Sequence, residues 1–67
     1  MYGDSDNDTL FGEAGNDLIF GGLGADVISG GADQDIALGE DGNDAVAGGD
    51  GHDTLYGGAG NDILYGD

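Results

Sequence analysis

The 67-residue sequence contains no lysine, arginine, cysteine, proline or tryptophan. Binding to a phosphate backbone or to an anionic membrane surface requires basic side chains, so we expect neither a nucleic-acid nor a membrane partner. The lack of cysteine excludes disulfides. No apolar run approaches the roughly 20 residues that span a bilayer, and the first residues lack the basic and apolar segments of a signal peptide. We therefore expect one soluble unit without membrane insertion.

Acid and glycine dominate what is present. The chain has 15 Asp and Glu residues, 17 Gly residues and a formal net charge of -15. Chains below about 70 to 80 residues seldom fold around one apolar core without disulfides, metal or oligomerisation, and glycine loses the most backbone entropy on folding. A disordered tail has a similar composition. The placement of the Asp and Gly residues distinguishes a folded domain from a disordered tail.

A period of nine residues accounts for every position from Gly3 to Tyr65 without insertion or deletion. The first position of each unit is Gly and the eighth is apolar throughout. Such fixed positions argue against a merely solvated acidic tail. The sixth position is Asp in all seven full units: Asp8, Asp17, Asp26, Asp35, Asp44, Asp53 and Asp62. We call the units that begin at Gly3, Gly21, Gly39 and Gly57 odd, and those that begin at Gly12, Gly30 and Gly48 even.

Each unit divides into a Gly-rich turn of six residues and a three-residue segment such as Ile63-Leu64-Tyr65. The apolar and β-branched residues of this segment predict a short strand, whose middle side chain points to the opposite face from its neighbours. No window has helical periodicity. The predicted core consists of Met1, Leu10, Ile19, Ile28, Ala37, Val46, Leu55 and Leu64.

The units spell Gly-Gly-x-Gly-x-Asp-x-apolar-x, as in residues 57–65. They resemble the calcium-binding nonapeptides of the repeats-in-toxin (RTX) family of secreted bacterial proteins, and the resemblance covers the whole chain. It implies an all-β fold, a right-handed parallel β-roll with two sheets and two nonapeptides per 18-residue coil. We expect a single module over residues 1–67, with partial repeats at 1–2 and 66–67, as a fragment of a larger protein.

The sixth-position aspartates predict metal sites. Neighbouring strands of a sheet lie about 4.8 Å apart, so carboxylates 18 residues apart stack at that spacing, and Ca²⁺ with ligands at about 2.3 to 2.6 Å reaches both. Without a cation, each such pair would repel by about 1 to 3.5 kcal/mol. Oxygen ligands, the lack of Cys and a flexible backbone favour Ca²⁺ over Zn²⁺, copper or Mg²⁺. We expect about five ions, with folding coupled to their binding, at the pairs Asp8/Asp26, Asp26/Asp44, Asp44/Asp62, Asp17/Asp35 and Asp35/Asp53.

The resemblance also implies a set of main-chain oxygen ligands. Each site would use the second and fourth residues of one turn and the first and third residues of the turn 18 positions later. A sixth site below Asp53 would need residues beyond Gly66 and Asp67. The implied ligands in odd units are Asp4, Asp6, Gly21 and Leu23, then Gly22, Gly24, Gly39 and Asp41, then Glu40, Gly42, Gly57 and Ala59; in even units they are Glu13, Gly15, Gly30 and Ala32, then Gly31, Asp33, Gly48 and Asp50.

Five acidic residues replace glycine in the turns. Asp6 and Asp33 stand at the fourth position, and Asp tolerates a left-handed conformation if that position requires one. At the second position Asp4, Glu13 and Glu40 indicate a negative φ. These extra acids either add carboxylates near the ion or are simply solvated.

The outward side chains of the even units form an apolar strip. Such a strip favours docking of a neighbouring domain or of a second copy, although β-propensity alone also selects these residues. It consists of Tyr2, Leu18, Phe20, Ile36, Leu38, Thr54 and Tyr56, which we call the even face.

No catalytic constellation is present, and His52 occupies a turn position where Asn is usual, so we expect no enzyme activity. The expected function is calcium binding that drives folding and stability of a secreted bacterial protein, with export by type I secretion implied by the resemblance. An alternative is a scaffold fragment of a secreted enzyme, such as a metalloprotease or lipase, or of an adhesin. Ice binding is disfavoured because Thr9 and Thr54 fall on opposite sheets.

Overall fold

The structure is a computed structural model that describes residues 1–66. Asp67, the last residue of the predicted partial repeat, lies outside the described residues. Seven strands of three residues follow one another, each at the end of a nonapeptide unit. They are β1 (Thr9–Phe11), β2 (Leu18–Phe20), β3 (Val27–Ser29), β4 (Ile36–Leu38), β5 (Ala45–Ala47), β6 (Thr54–Tyr56) and β7 (Ile63–Tyr65).

The strands form two parallel sheets, one from the odd units and one from the even units. Their orders are β1-β3-β5-β7 and β2-β4-β6. Strands β1 to β5 each pair with the strand 18 positions later, for example Leu10 with Ile28, and Tyr2 forms an isolated parallel bridge with Phe20. Along residues 1–66 no helix of bilayer-spanning length and hydrophobicity is present. The predicted all-β roll, with two sheets and an 18-residue coil, is confirmed.

The core lies between the two sheets and consists of eighth-position side chains. Ile19, Ile28, Ala37 and Val46 are buried, and the partly buried side chains of Leu10 and Leu55 pack against them. At the two ends of the stack, the eighth-position residues Met1 and Leu64 are 54% and 45% exposed. The predicted core positions are therefore confirmed in the middle of the roll, where each side chain has a neighbour on both sides.

Backbone hydrogen bonds continue from the strands into the turns. The N–H of Gly21 donates to the carbonyl of Leu38 at 2.7 Å, and the N–H of Val27 donates to the carbonyl of Asp8 at 2.8 Å. The same two bonds recur in successive coils, so both ends of each turn are fixed against the turn 18 residues away. This stacking sets the positions of the sixth-position aspartates.

The second position of the turn is left-handed, contrary to the negative φ expected from its acidic residues. Asp4, Glu13 and Glu40 have φ values of 70°, 70° and 71°. The stacking of the turns imposes this left-handed conformation, because the second-position carbonyl must face the turn 18 residues later. The stacking outweighs the strain that a side chain causes at a positive φ. At the fourth position Asp6 and Asp33 have φ values of 76° and 74°. The left-handed conformation expected there is confirmed.

The even face is exposed along much of its length. Leu18, Ile36 and Tyr56 are 49%, 45% and 57% exposed. Tyr2 and Phe20 stack with ring centroids 5.0 Å apart and an interplanar angle of 7°. A docking role for this face stays a prediction.

Candidate metal centre

The sixth-position aspartates form two rows, one along each turn edge of the roll. Within these rows Asp26, Asp35 and Asp44 are buried, with 1%, 1% and 2% exposure. The aspartates nearer the ends of the rows, Asp8, Asp17, Asp53 and Asp62, are half-buried. Three carboxylates are thus buried in a chain that has no Lys or Arg to pair with them.

One carboxylate oxygen of each inner aspartate has a backbone partner. Oδ1 of Asp26 accepts a hydrogen bond from the N–H of Asp8 at 2.8 Å, and Oδ1 of Asp44 accepts from the N–H of Asp26 at 2.8 Å. Asp35, Asp53 and Asp62 accept in the same way from the aspartate 18 residues earlier. These hydrogen bonds hold aspartates 18 residues apart next to each other, and the sharing of a Ca²⁺ ion by their carboxylates stays a prediction.

The second carboxylate oxygen has no partner. A buried carboxylate oxygen without a donor is costly, and it needs a proton, a donor or a cation. Within residues 1–66 the buried and unpartnered oxygens are Oδ2 of Asp8, Asp17, Asp26, Asp35, Asp44 and Asp53.

Each of these oxygens points toward the first glycine of its own turn. A Cβ atom placed on Gly3 would lie 2.6 Å from Oδ2 of Asp8 and 2.6 Å from the carbonyl oxygen of Gly21. On Gly21 it would lie 2.8 Å both from Oδ2 of Asp26 and from the carbonyl oxygen of Gly39. The missing side chain leaves a cradle in which a carboxylate and a main-chain oxygen from the next coil converge.

The same cradle recurs in the even row, beside Gly12 and Gly30. There Asp17 converges with the carbonyl oxygen of Gly30, and Asp35 with that of Gly48, so four of the five predicted sites have this pair of oxygens. Beside Gly39, the nearest atoms all belong to Asp44. An oxygen-only cradle suits Ca²⁺, which takes carboxylate and carbonyl ligands together.

Carbonyl oxygens of the second and fourth positions face the turn 18 residues later. A Cβ atom on Gly22 would overlap the carbonyl oxygen of Asp4, and one on Gly42 would overlap that of Gly24. The carbonyl of Asp4 accepts from the N–H of Leu23 at 2.8 Å. The other oxygens with this direction are those of Asp6, Glu13, Gly31, Asp33, Glu40 and Gly42. Their direction agrees with the implied ligand set, whose ligation stays a prediction.

The implied third-position ligands lie at the outer side of the turns. Leu23, Asp41 and Ala59 line one shallow groove along the odd turns, together with Asp4 and Glu40. Ala32 donates its N–H to the carbonyl of Glu13 at 3.1 Å, and Asp50 is exposed in its turn. At Gly15, a Cβ atom would meet nothing within 4 Å.

Burial and mutual repulsion disfavour the charged carboxylates. Burial raises the pKa of Asp8, and the charge of Asp26 raises it further. The pKa of Asp35 and that of Asp44 are also raised, first by burial and then by the neighbouring aspartates of the same row, although backbone hydrogen bonds partly oppose this. Each of these groups would be stabilised by a cation beside it.

Side chains alone do not assemble a complete metal site. No group of three or more His, Asp or Glu side chains placed to hold a metal occurs within residues 1–66. A metal held by two stacked carboxylates must therefore also use main-chain oxygens.

Some contacts were not foreseen from the sequence. Oδ1 of Asn7 accepts from the N–H of Ala25 at 2.7 Å, and the frequent Asn at the fifth position was the available signal for this contact. Oδ2 of Asp33 accepts from the N–H of Gly15 at 3.0 Å, so this acid is not simply solvated. His52 lies exposed in its turn, as predicted.

Two short-stranded parallel sheets, with rows of stacked aspartates along their turns, define the class of parallel β-solenoids. The family model described as the RTX calcium-binding nonapeptide repeat, in four copies, matches residues 2–37 and 38–67. The chain belongs to this family, whose repeats are structural and bind calcium. Comparison with the curated proteins and with the solved structures gives no significant match.

Proposed function

We propose that Ca²⁺ ions bind between stacked turns of this chain and that their binding drives its folding. The observation that carries the proposal is the set of six buried Oδ2 atoms without a partner. The chain has no Lys or Arg to neutralise them. A bound Ca²⁺ ion would supply the missing positive charge and complete its coordination with carbonyl oxygens.

Five sites follow from the aspartate pairs of the two rows. Three lie on the odd turns, at Asp8/Asp26, Asp26/Asp44 and Asp44/Asp62, and two lie on the even turns. Asp26, Asp35 and Asp44 each serve two neighbouring sites, which favours cooperative binding because one ion fixes a ligand of the next. The main-chain oxygens of the ligand set described above complete these sites.

Calcium-dependent folding is supported by the small size of the core. Among residues 1–66, only Ile19, Ile28, Ala37 and Val46 are buried apolar residues, and the 17 glycines carry a large backbone entropy cost. With the carboxylates repelling one another along each row, this core is too small to order the chain without metal.

Family membership supports a proposal for the wider role. We propose a module of a secreted bacterial protein that stays unfolded where Ca²⁺ is scarce and folds outside the cell, where extracellular modules bind with Kd of about 10⁻⁴ to 10⁻³ M. Export through a type I system, and attachment of the module to a catalytic or adhesive domain, belong to this proposal.

Two substitutions in one turn test the proposed sites. Asp44→Asn removes a charge that would serve two ions, whereas Asp41→Asn removes the same charge from an exposed side chain. In calorimetric titration, we expect Asp44→Asn to weaken Ca²⁺ binding by about tenfold or more, since a charged partner of a buried cation is lost. Asp41→Asn should change it little. Equal effects of the two variants would contradict the assignment.

A further inference from the structure

We propose that Asn7 and Asn16 are positioning residues, each of which holds a peptide group of the next turn of its row in the orientation in which the carbonyl oxygen faces the following metal site. The inference rests on the proposed calcium function and deepens it. It concerns the fifth position of the repeat, immediately before the paired aspartates.

Stacked turns are tied by side-chain hydrogen bonds that run in opposite directions. The aspartate of the later turn reaches back, as Asp26 does to the N–H of Asp8 at 2.8 Å. The asparagine of the earlier turn reaches forward, as Asn7 does to the N–H of Ala25 at 2.7 Å. The two bonds together fix the end of the turn from both sides.

The forward bond also fixes a carbonyl group. The N–H of Ala25 and the carbonyl of Gly24 belong to one planar trans peptide, so they point in opposite directions. Because the N–H is held toward Asn7, the carbonyl points away from it, toward Gly42, where an added Cβ atom would overlap it. Gly24 is an expected main-chain ligand of the Asp26/Asp44 site. Asn7 therefore positions a ligand of the next site rather than of its own.

The even row repeats the arrangement. Oδ1 of Asn16 accepts from the N–H of Gln34 at 3.0 Å. The other half of that peptide is the carbonyl of Asp33, which faces Gly51 and is an expected ligand of the Asp35/Asp53 site. In the last described odd turns, Asn43 holds the N–H of Asn61 at 2.8 Å.

One of these forward side-chain hydrogen bonds is missing from the odd row. Position 25 is alanine, whose side chain offers no acceptor to the N–H of Asn43. The carbonyl of Gly42, on the same peptide, is an expected ligand of the Asp44/Asp62 site. The carbonyl of Gly42 faces Gly60 through the stacking of the turns alone, so the Asp44/Asp62 site lacks the additional bond that holds the corresponding carbonyl at the Asp26/Asp44 site.

The substitution Ala25→Asn supplies the missing acceptor and tests the inference. We expect hydrogen exchange of the Asn43 amide in the calcium-loaded chain, measured by NMR, to slow by about two- to tenfold. The Ca²⁺ midpoint of folding should also fall. Ala14→Asn is the matched control, because it places the same side chain at an exposed third position outside the expected ligand set.

Loss of an existing link gives a second test. Asn7→Ala should speed exchange of the Ala25 amide, whereas Asn7→Asp, which keeps an acceptor oxygen, should preserve its protection. The inference is overturned if Ca²⁺ folds every variant but the Asn43 and Ala25 amides exchange as in the unsubstituted chain. A chain that shows no response to Ca²⁺ in any form would instead contradict the proposed function and remove the basis of this inference.

Discussion

At the scale of single residues, the two oxygens of each inner aspartate have different environments. Oδ1 of Asp44 accepts a backbone hydrogen bond from Asp26, while its Oδ2 is buried without a partner. The hydrogen bond fixes the orientation of the carboxylate, and the unpartnered oxygen keeps a charge that the chain cannot neutralise. Each inner aspartate thus has one oxygen that fixes its orientation and another that needs a cation.

Protonation of the buried aspartates at low pH should partly replace calcium in stabilising the fold. The pKa values of Asp8, Asp35 and Asp44 are raised in the metal-free fold, with burial as the largest cause. Protonation of these groups therefore stabilises the fold below their unfolded value of 3.8, and this stability is lost as pH rises through the raised folded values. In chelator, we expect the strand signal in circular dichroism to grow as pH falls from 7 toward 4.

Because burial is the largest cause of the raised pKa values, raised ionic strength serves as a control. Salt screens the repulsion between exposed charges, but it has little effect on the pKa shift that burial causes. The acid effect should therefore persist when the ionic strength is raised. A chelated chain whose strand signal stays flat or declines on acidification would argue against buried, uncompensated carboxylates.

At the scale of elements, much of the fold follows from the period of the sequence. Apolar residues at the eighth position of each nine-residue unit, such as Ile19 and Ile28, predict the strands and the core that the structure shows. The 18-residue coil was predicted from the resemblance, and the pairing of Leu10 with Ile28 confirms it.

Other features depend on contacts between turns, which a single unit does not reveal. The left-handed φ of Glu40 differs from the negative φ that the sequence predicts, because a Glu side chain ordinarily disfavours that conformation and only the stacking of its carbonyl against Gly58 requires it. The bond from Asn7 to Ala25 joins residues 18 positions apart. Its existence depends on coil geometry that residue preferences alone do not specify.

Substitution of two glycines at the fourth position can distinguish the cost of backbone strain from the cost of disturbing the stacked turns. Gly15 and Gly24 have φ values of 93° and 98°, but a Cβ atom would meet open space on Gly15 and the carbonyl of Asp6 on Gly24. We expect Gly15→Ala to cost about 1 to 2 kcal/mol of folding free energy from strain alone. Gly24→Ala should cost clearly more.

The comparison is made by urea unfolding of the calcium-loaded variants. Both substitutions add the same methyl group to a left-handed glycine, so the difference between them isolates the contact with the preceding turn. Equal losses of unfolding free energy would show that the turns are not stacked as described.

At the scale of the whole molecule, the charge balance links sequence to function. The formal charge of -15 includes no internal cation, and the acids lie in turns outside a thin apolar core. Five Ca²⁺ ions, the number proposed, would add ten positive charges. A chain of this composition is thus expected to change from an expanded polyanion to a compact roll when the ions bind.

Small-angle X-ray scattering of the chain in excess chelator, and again in saturating Ca²⁺, tests this claim most directly. The folded roll has a Cα radius of gyration of 10.1 Å, whereas an unfolded chain of this length has about 25 Å. We predict compaction from near the larger value to near the smaller one with Ca²⁺, and little compaction with Mg²⁺ at the same concentration. A chain already compact near 10 Å in chelator at neutral pH would contradict calcium-driven folding.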